Sequence, residues 1–229
     1  MSKKKNKQLN QQSHFSLRPI RPLTPNQEET FQSFADEKHL LLHGVAGTGK
    51  TFVSLYLALD QILNKGRYRK ALIVRSAVAS RDIGFLPGGL KEKTKVYEEP
   101  YKSICDDLFG RGDGYEVLKL KGLVEFTTTS FLRGLTWDNT IVVVDEIQNM
   151  TLHEIDSIIT RVGENCKVIL CGDFRQSDLA GYDARRNLLT FGSIVDRMKC
   201  FRKIEFGVED IVRSAFVKSY IMSKLELGV

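Results

Sequence analysis

The stretch Gly44-Val45-Ala46-Gly47-Thr48-Gly49-Lys50-Thr51 constrains this chain more than any other. Its spacing is G-x-x-x-x-G-K-T, the phosphate-cradling P-loop. An apolar run, Leu40-Leu41-Leu42, precedes it, and a helical pattern through Phe52, Val53, Leu55, Tyr56 and Leu59 follows. Strand, loop and helix together give the motif its physical meaning. The loop N–H groups and the helix N-terminus converge on an anion, and the glycines let the backbone approach it closely. On this reading Gly44, Val45, Ala46, Gly47, Thr48, Gly49, Lys50 and Thr51 bind the nucleotide. Lys50 reaches the β- and γ-phosphates of ATP, and Thr51 holds Mg²⁺.

Other apolar runs supply the rest of a sheet. Ala71-Leu72-Ile73-Val74, Ile141-Val142-Val143-Val144 and Lys167-Val168-Ile169-Leu170-Cys171 read as strands, the last two buried on both faces. Val124–Thr128 is β-rich, and Phe201–Phe206 reads as an edge strand. Helical patterns lie between them. A start signal at Thr24-Pro25-Asn26-Gln27 sets Thr24 as N-cap with Gln27 completing a capping box, and that helix carries Phe31 and Phe34 inward. A helix is expected through Tyr97 and Leu108, another from about Leu152 to Arg161, and a terminal one from Asp210 to Leu227. Strands alternating with helices predict an α/β fold with a doubly wound parallel sheet, the P-loop NTPase architecture.

Three further features fit the loop, and two of them follow strand ends, where open α/β sheets bind ligands. Asp145-Glu146 ends the run at 141–144. An acidic pair there is costly unless charge compensates it. Asp145 is therefore read as the Mg²⁺ residue, with Thr51, and Glu146 as the general base that polarises the attacking water. Gly172-Asp173-Phe174-Arg175-Gln176 follows the next strand, and Gln176 is a candidate to sense the γ-phosphate or position the water. Gln27 either reads the adenine edge with its amide or serves as a plain helix cap.

Charge is unevenly placed. The 34 basic and 28 acidic residues give a net charge of +6, but six of the bases precede Glu28, the first acid, so the remainder is balanced. The high pI therefore describes the start of the chain, where residues 1–18 form a basic tail expected to be disordered, ahead of a single domain at 19–229. No apolar run nears the ~20 residues of a membrane span, and the start lacks a signal peptide's apolar core, so a cytoplasmic location away from membranes is expected. Cys105, Cys166, Cys171 and Cys200 are scattered, which fits reduced thiols and not zinc.

Taken together the motifs resemble the PhoH-like ATPase family, related to the superfamily 1 helicase core. The resemblance is carried by Gly44–Thr51, Ile83-Gly84-Phe85-Leu86-Pro87-Gly88, Phe131-Leu132-Arg133-Gly134, Val144-Asp145-Glu146-Ile147-Gln148-Asn149, Thr160-Arg161-Val162-Gly163, Gly172–Leu179 and Asp210-Ile211-Val212-Arg213, over roughly residues 20–225. It implies ATP hydrolysis, a RecA-like fold, ring assembly, and association with RNA or single-stranded DNA. Val45 stands where the family commonly has Pro. Ser80-Arg81 and Leu135 also depart from its pattern, and both alter charge near the expected polynucleotide face.

The leading expectation is an ATP-driven, nucleic-acid-associated motor. Ser76, Arg81, Thr128, Thr129 and Arg133 are the candidate polynucleotide contacts, since hydroxyls and arginines on loops and strand ends suit phosphates. A small-molecule kinase is one alternative, although the zinc lid of thymidine kinases is missing. A nucleotide-regulated scaffold is another, against which the retained Lys50, Thr51, Asp145 and Glu146 argue. Phosphoryl transfer commonly needs an arginine from outside the P-loop. With no room expected here for a second domain, a neighbouring subunit in a hexameric ring becomes its source. Arg213 is the first candidate for that trans role and Arg161 the second.

Overall fold

The computed structural model describes residues 15–76, 90–132, 134, 136–174 and 182–227. Arg81, Arg133 and Gln176 lie outside these residues, as does the motif at 83–88. Six strands form one sheet: β1 (His39–Gly44), β2 (Lys70–Arg75), β3 (Val124–Thr128), β4 (Thr140–Asp145), β5 (Lys167–Gly172) and β6 (Phe201–Phe206). Their order is β3-β2-β4-β5-β1-β6, and every pairing is parallel. The helices are α1 (Pro25–Ala35), α2 (Lys50–Leu63), α3 (Leu90–Phe109), α4 (Gly114–Leu120), α5 (Leu152–Ile159), α6 (Tyr182–Arg197) and α7 (Ala215–Glu226). This is the doubly wound α/β sheet expected, with β6 at an edge.

Helices cover both faces, so the central strands have no polar side. All six residues of β4 are buried. Ile141 and Val143 enter the core shared with α1, α2, α3 and α4, whereas Val142 and Val144 enter the one shared with α5 and α6. Continuous apolar runs are the signature of parallel strands buried this way. The chain leaves β1 toward β2 on one side and leaves β5 toward β6 on the other. The crevice between β1 and β5 is thus a topological switch point, and the P-loop opens there.

Several boundaries differ from expectation. Residues 15–18 are docked and do not belong to a loose tail: Phe15 stacks on Phe109 at 4.2 Å, Leu17 is buried, and Arg18 N–H donates to the Leu108 carbonyl at 2.9 Å. Asp210 does not open a helix. Its fully buried carboxylate accepts from Gly207 N–H (2.9 Å) and Asn26 Nδ2 (2.7 Å), and Val212 N–H donates to the Gly47 carbonyl (3.1 Å). Those contacts fasten the non-helical stretch 211–214 to the P-loop, and the helix begins only after Ser214, which caps it. Between β5 and β6, α6 buries Leu188, Phe191 and Val195 along one face.

Gly44 serves the sheet before it serves a phosphate. It adopts φ +123°, and a Cβ built there would lie 2.1 Å from the Phe206 carbonyl oxygen. Val45 N–H donates to that same carbonyl at 2.9 Å. Any side chain would prise β6 off β1 in a backbone conformation that L-residues avoid. Gly44→Ala is therefore expected to lower unfolding free energy by about 3 kcal/mol or more in urea titration. Gly66→Ala is the comparison: it has positive φ but open space around it, and should cost only about 1 kcal/mol.

Candidate active site

At the carboxyl ends of β1, β4 and β5 lies a cavity of about 950 Å³ lined by Ala46, Gly47, Thr48, Gly49, Lys50, Thr51, Asp145, Glu146, Gln148 and Asp173. Gly44 and Val45 are buried beneath it. Its outer wall contains Ile20, Leu23, Phe52, Pro100 and Ile104, an apolar surface suited to the flat face of a base. Gly47 and Gly49 both adopt positive φ, and Gly49 leads directly into α2. The loop thus wraps the helix N-terminus, where partial positive charge and N–H donors favour phosphate.

Lys50 Nζ donates to the carbonyls of Gly44 (2.9 Å) and Val45 (2.8 Å) and to Thr48 Oγ1 (3.3 Å). These partners are neutral, so charged phosphate oxygens would displace them as stronger acceptors. Burial lowers the Lys50 pKa, which makes an anionic partner in the cavity favourable.

Asp145 and Thr51, expected to share a metal, meet: Thr51 Oγ1 donates to Asp145 Oδ1 at 2.9 Å. The other carboxylate oxygen, Oδ2, accepts from the Tyr101 hydroxyl at 3.0 Å. Burial raises the Asp145 pKa, opposed by its bonds to Thr51 and Tyr101 and by the charge of Arg75. Two hard oxygen donors side by side at the phosphate cradle fit Mg²⁺, which takes one or two protein oxygens and leaves its other positions to phosphate and water.

Glu146 follows Asp145, and in a continuing strand its side chain would point to the opposite face. Instead it adopts φ 56° and ψ 45°, a left-handed conformation costing about 1–2 kcal/mol for a residue with a Cβ. The turn brings both carboxylates to one cavity. Gln148 then joins the strand ends, since its Nε2 donates to Glu146 Oε2 and its Oε1 accepts from Asp173 N–H at 3.0 Å. Burial raises the Glu146 pKa, with Asp145 adding to the shift and Arg75 opposing it.

The remaining expected residues divide. Gln27 is buried, with Oε1 accepting from Leu23 N–H (2.8 Å) and Nε2 donating to the Thr48 carbonyl (3.0 Å). It caps nothing with its amide, so the capping box is only half formed, and it instead ties α1 to the P-loop on the cavity wall. Arg213, expected to act on a neighbour's nucleotide, lies beside the P-loop of its own chain. Its stem packs on Gly47 of its own loop, 3.0 Å from where a Cβ would stand, and it lines its own cavity. Arg161 is turned inward, donating to the carbonyls of Leu132 and Ser157. Arg75, at the end of β2, lines the cavity and stacks on Tyr97 at 5.5 Å, a second cation that the motifs do not flag.

Among the polynucleotide candidates, Thr128 is fully buried, which removes it as a surface contact. Ser76 (3.5 Å) and Thr129 (2.5 Å) both donate to Glu154 Oε1, so their hydroxyls already serve a carboxylate.

The electrostatics of Glu146 have a consequence for stability without nucleotide or metal. A carboxylate whose pKa is raised by folding is destabilising when ionised and neutral to stability when protonated in both states. Glu146→Gln should therefore be more stable than wild type at neutral pH. That advantage should fade as pH falls through the raised Glu146 pKa and vanish below the ordinary glutamate value. Urea titrations of both proteins across pH 4–8 measure it; a constant offset would contradict the assignment.

A family model described as PhoH-like protein matches residues 19–224. A PhoH-like protein of Bacillus subtilis (strain 168) is 32% identical over 203 residues, covering 88% of this chain and 63% of that protein. Protein PhoH of Escherichia coli (strain K12) is 30% identical over 204 residues, covering 86% of this chain and 56% of that protein. The chain thus spans less than two-thirds of the length of either relative. Among solved structures, Bacteroides sp Pif1 in complex with ADP-AlF4 is similar at a TM-score of 0.45 and 16% identity, over 86% of this chain and 44% of that one. With the family model matched from Pro19 into α7, and the P-loop and Asp145-Glu146 inside that match, the chain belongs to the PhoH-like protein family.

Proposed function

We propose that this chain is a Mg²⁺-dependent ATPase whose turnover is coupled to RNA or single-stranded DNA. The observation that carries the hydrolytic part is the convergence of Lys50, Thr51, Asp145 and Glu146 on one cavity. The P-loop N–H groups and Lys50 bind the phosphates, and the apolar wall with the Gln27 amide receives adenine. Glu146 takes a proton from the attacking water, oriented by Gln148, and its raised pKa makes it a stronger base than an exposed glutamate. When bound between Asp145 and Thr51, Mg²⁺ would offset charge on the β- and γ-phosphate oxygens. Arg213 and Arg75 add cationic charge from within the same chain. On this reading the site is complete without a neighbour's arginine.

The carboxyl edge of β2 and β3 holds Thr129, and Arg81 and Arg133 belong to adjoining sequence. Glu154 beside Ser76 and Thr129 opposes phosphate, so we assign the contact mainly to the two arginines. Affinity should be modest and fall with salt.

Purified Glu146→Gln should bind ATP as wild type does and lose turnover by about 10²-fold or more; unchanged turnover would remove Glu146 as the base. Lys50→Ala should lose nucleotide affinity. Mixing Arg213→Ala with Lys50→Ala chains separates the two placements of the arginine. An arginine acting on its own chain's nucleotide yields no more activity than the two proteins show apart, whereas recovery on mixing would restore the trans arrangement. Arg81→Ala combined with Arg133→Ala should weaken single-stranded RNA or DNA binding; unaltered affinity would displace the contact.

A further inference from the structure

The Tyr101 hydroxyl lies outside every motif, yet it contacts the carboxylate most concerned with the metal. Tyr101 sits on α3, fully buried, and donates to Asp145 Oδ2 at 3.0 Å while Thr51 donates to Oδ1 at 2.9 Å. We propose that Tyr101 is a positioning residue that fixes the plane of the Asp145 carboxylate and so sets the chain's affinity for the divalent cation, an inference that rests on the ATPase reading above.

The argument is geometric. An aspartate carboxyl rotates broadly about its last torsion, so one hydrogen bond from Thr51 does not hold its plane. A second donor on the opposite oxygen does. With Oδ2 anchored to the sheet-facing side of α3, Oδ1 is left beside Thr51 Oγ1, which brings together two hard oxygens on the phosphate side. Thr51 and Asp145 would hold the cation, and the Tyr101 bond to Oδ2 would then remain to fix the carboxylate plane. Outer partners of ligating carboxylates act in this way, and their loss commonly costs 10–100-fold in metal affinity or activity.

Two observations support the assignment. Tyr101 is fully buried, so water does not compete with Asp145 for its hydroxyl. One helical turn earlier on α3, Tyr97 stacks under Arg75, whose Cα pairs in register with that of Asp145 on the neighbouring strand. The same face of α3 therefore steadies both the carboxylate and the cation beside it. Pro100, Ser103 and Ile104 of this helix line the nucleotide cavity, which puts the anchor and the nucleotide wall on one helix.

The test is Mn²⁺ binding to the full chain saturated with ADP, read as free Mn²⁺ by electron paramagnetic resonance. Tyr101→Phe should raise the Mn²⁺ dissociation constant about 10-fold while affinity for a fluorescent adenine nucleotide in EDTA changes less than twofold. Tyr101→Met removes the hydroxyl differently and guards against a variant that does not fold. Tyr115→Phe is the control for lost packing: it is another buried tyrosine, bonded to Glu98 at 3.3 Å and remote from Asp145, and should leave Mn²⁺ affinity unchanged. Unaltered Mn²⁺ affinity in folded Tyr101→Phe, or an equal loss in Tyr115→Phe, overturns the inference while wild-type binding stands. A wild-type chain that binds neither Mn²⁺ nor nucleotide overturns the ATPase reading as well.

Discussion

The structure is organised around a carboxylate that should not be buried without help. Asp145 ends a strand buried along its whole length, and an ionised group there is expensive unless donors and charge surround it. The help comes from three directions in the fold. Thr51 approaches from the first turn of α2, Tyr101 from α3, and Arg75 from the adjoining strand. Each can arrive only because the strand order is β3-β2-β4-β5-β1-β6. That order puts β4 beside β2 and leaves one strand between it and the P-loop, room enough for phosphate.

The same carboxylate explains the strain next to it. Glu146 accepts a left-handed backbone so that a second acid shares the cavity in place of pointing into the opposite core. Burial raises the pKa of both acids and Asp145 adds to the shift of Glu146, while Arg75 opposes both shifts and Lys50 opposes that of Glu146. Costs of this kind concentrate where a fold does work. They also account for the tight satisfaction around the site: Gln148 joins the ends of β4 and β5, and Gln27 joins α1 to the loop. The nucleotide would complete a cavity whose charges are already balanced against one another.

Much of this was legible in the sequence. The runs at 141–144 and 167–171 announced buried parallel strands because both faces of such strands are apolar, and the P-loop spacing announced the turn after β1. What escaped were contacts between residues distant along the chain. Tyr101 and Asp145 are 44 positions apart, and no periodicity relates them. Tyr101 reads as an ordinary helix-face aromatic until the sheet order is known. The segment at 210–213 was misread for a related reason. Asp210 resembles a helix-starting acid, but its partners are Asn26 and Gly207, and Val212 is tethered to Gly47. Gly44 was assigned to phosphate approach when the backbone of β6 is what demands it. Local pattern identified the elements; which side chains meet at their ends depended on register and crossover.

The central claim is that one chain holds a complete site for attack of water on the γ-phosphate. The most direct measurement is single-turnover reaction of the purified chain with ATP in ¹⁸O-water, with Mg²⁺ and separately with EDTA, followed by mass analysis of the phosphate. The account predicts Mg²⁺-dependent release of inorganic phosphate carrying ¹⁸O, with unlabelled ADP. Intact ATP, or phosphate released without label from the solvent, would contradict it.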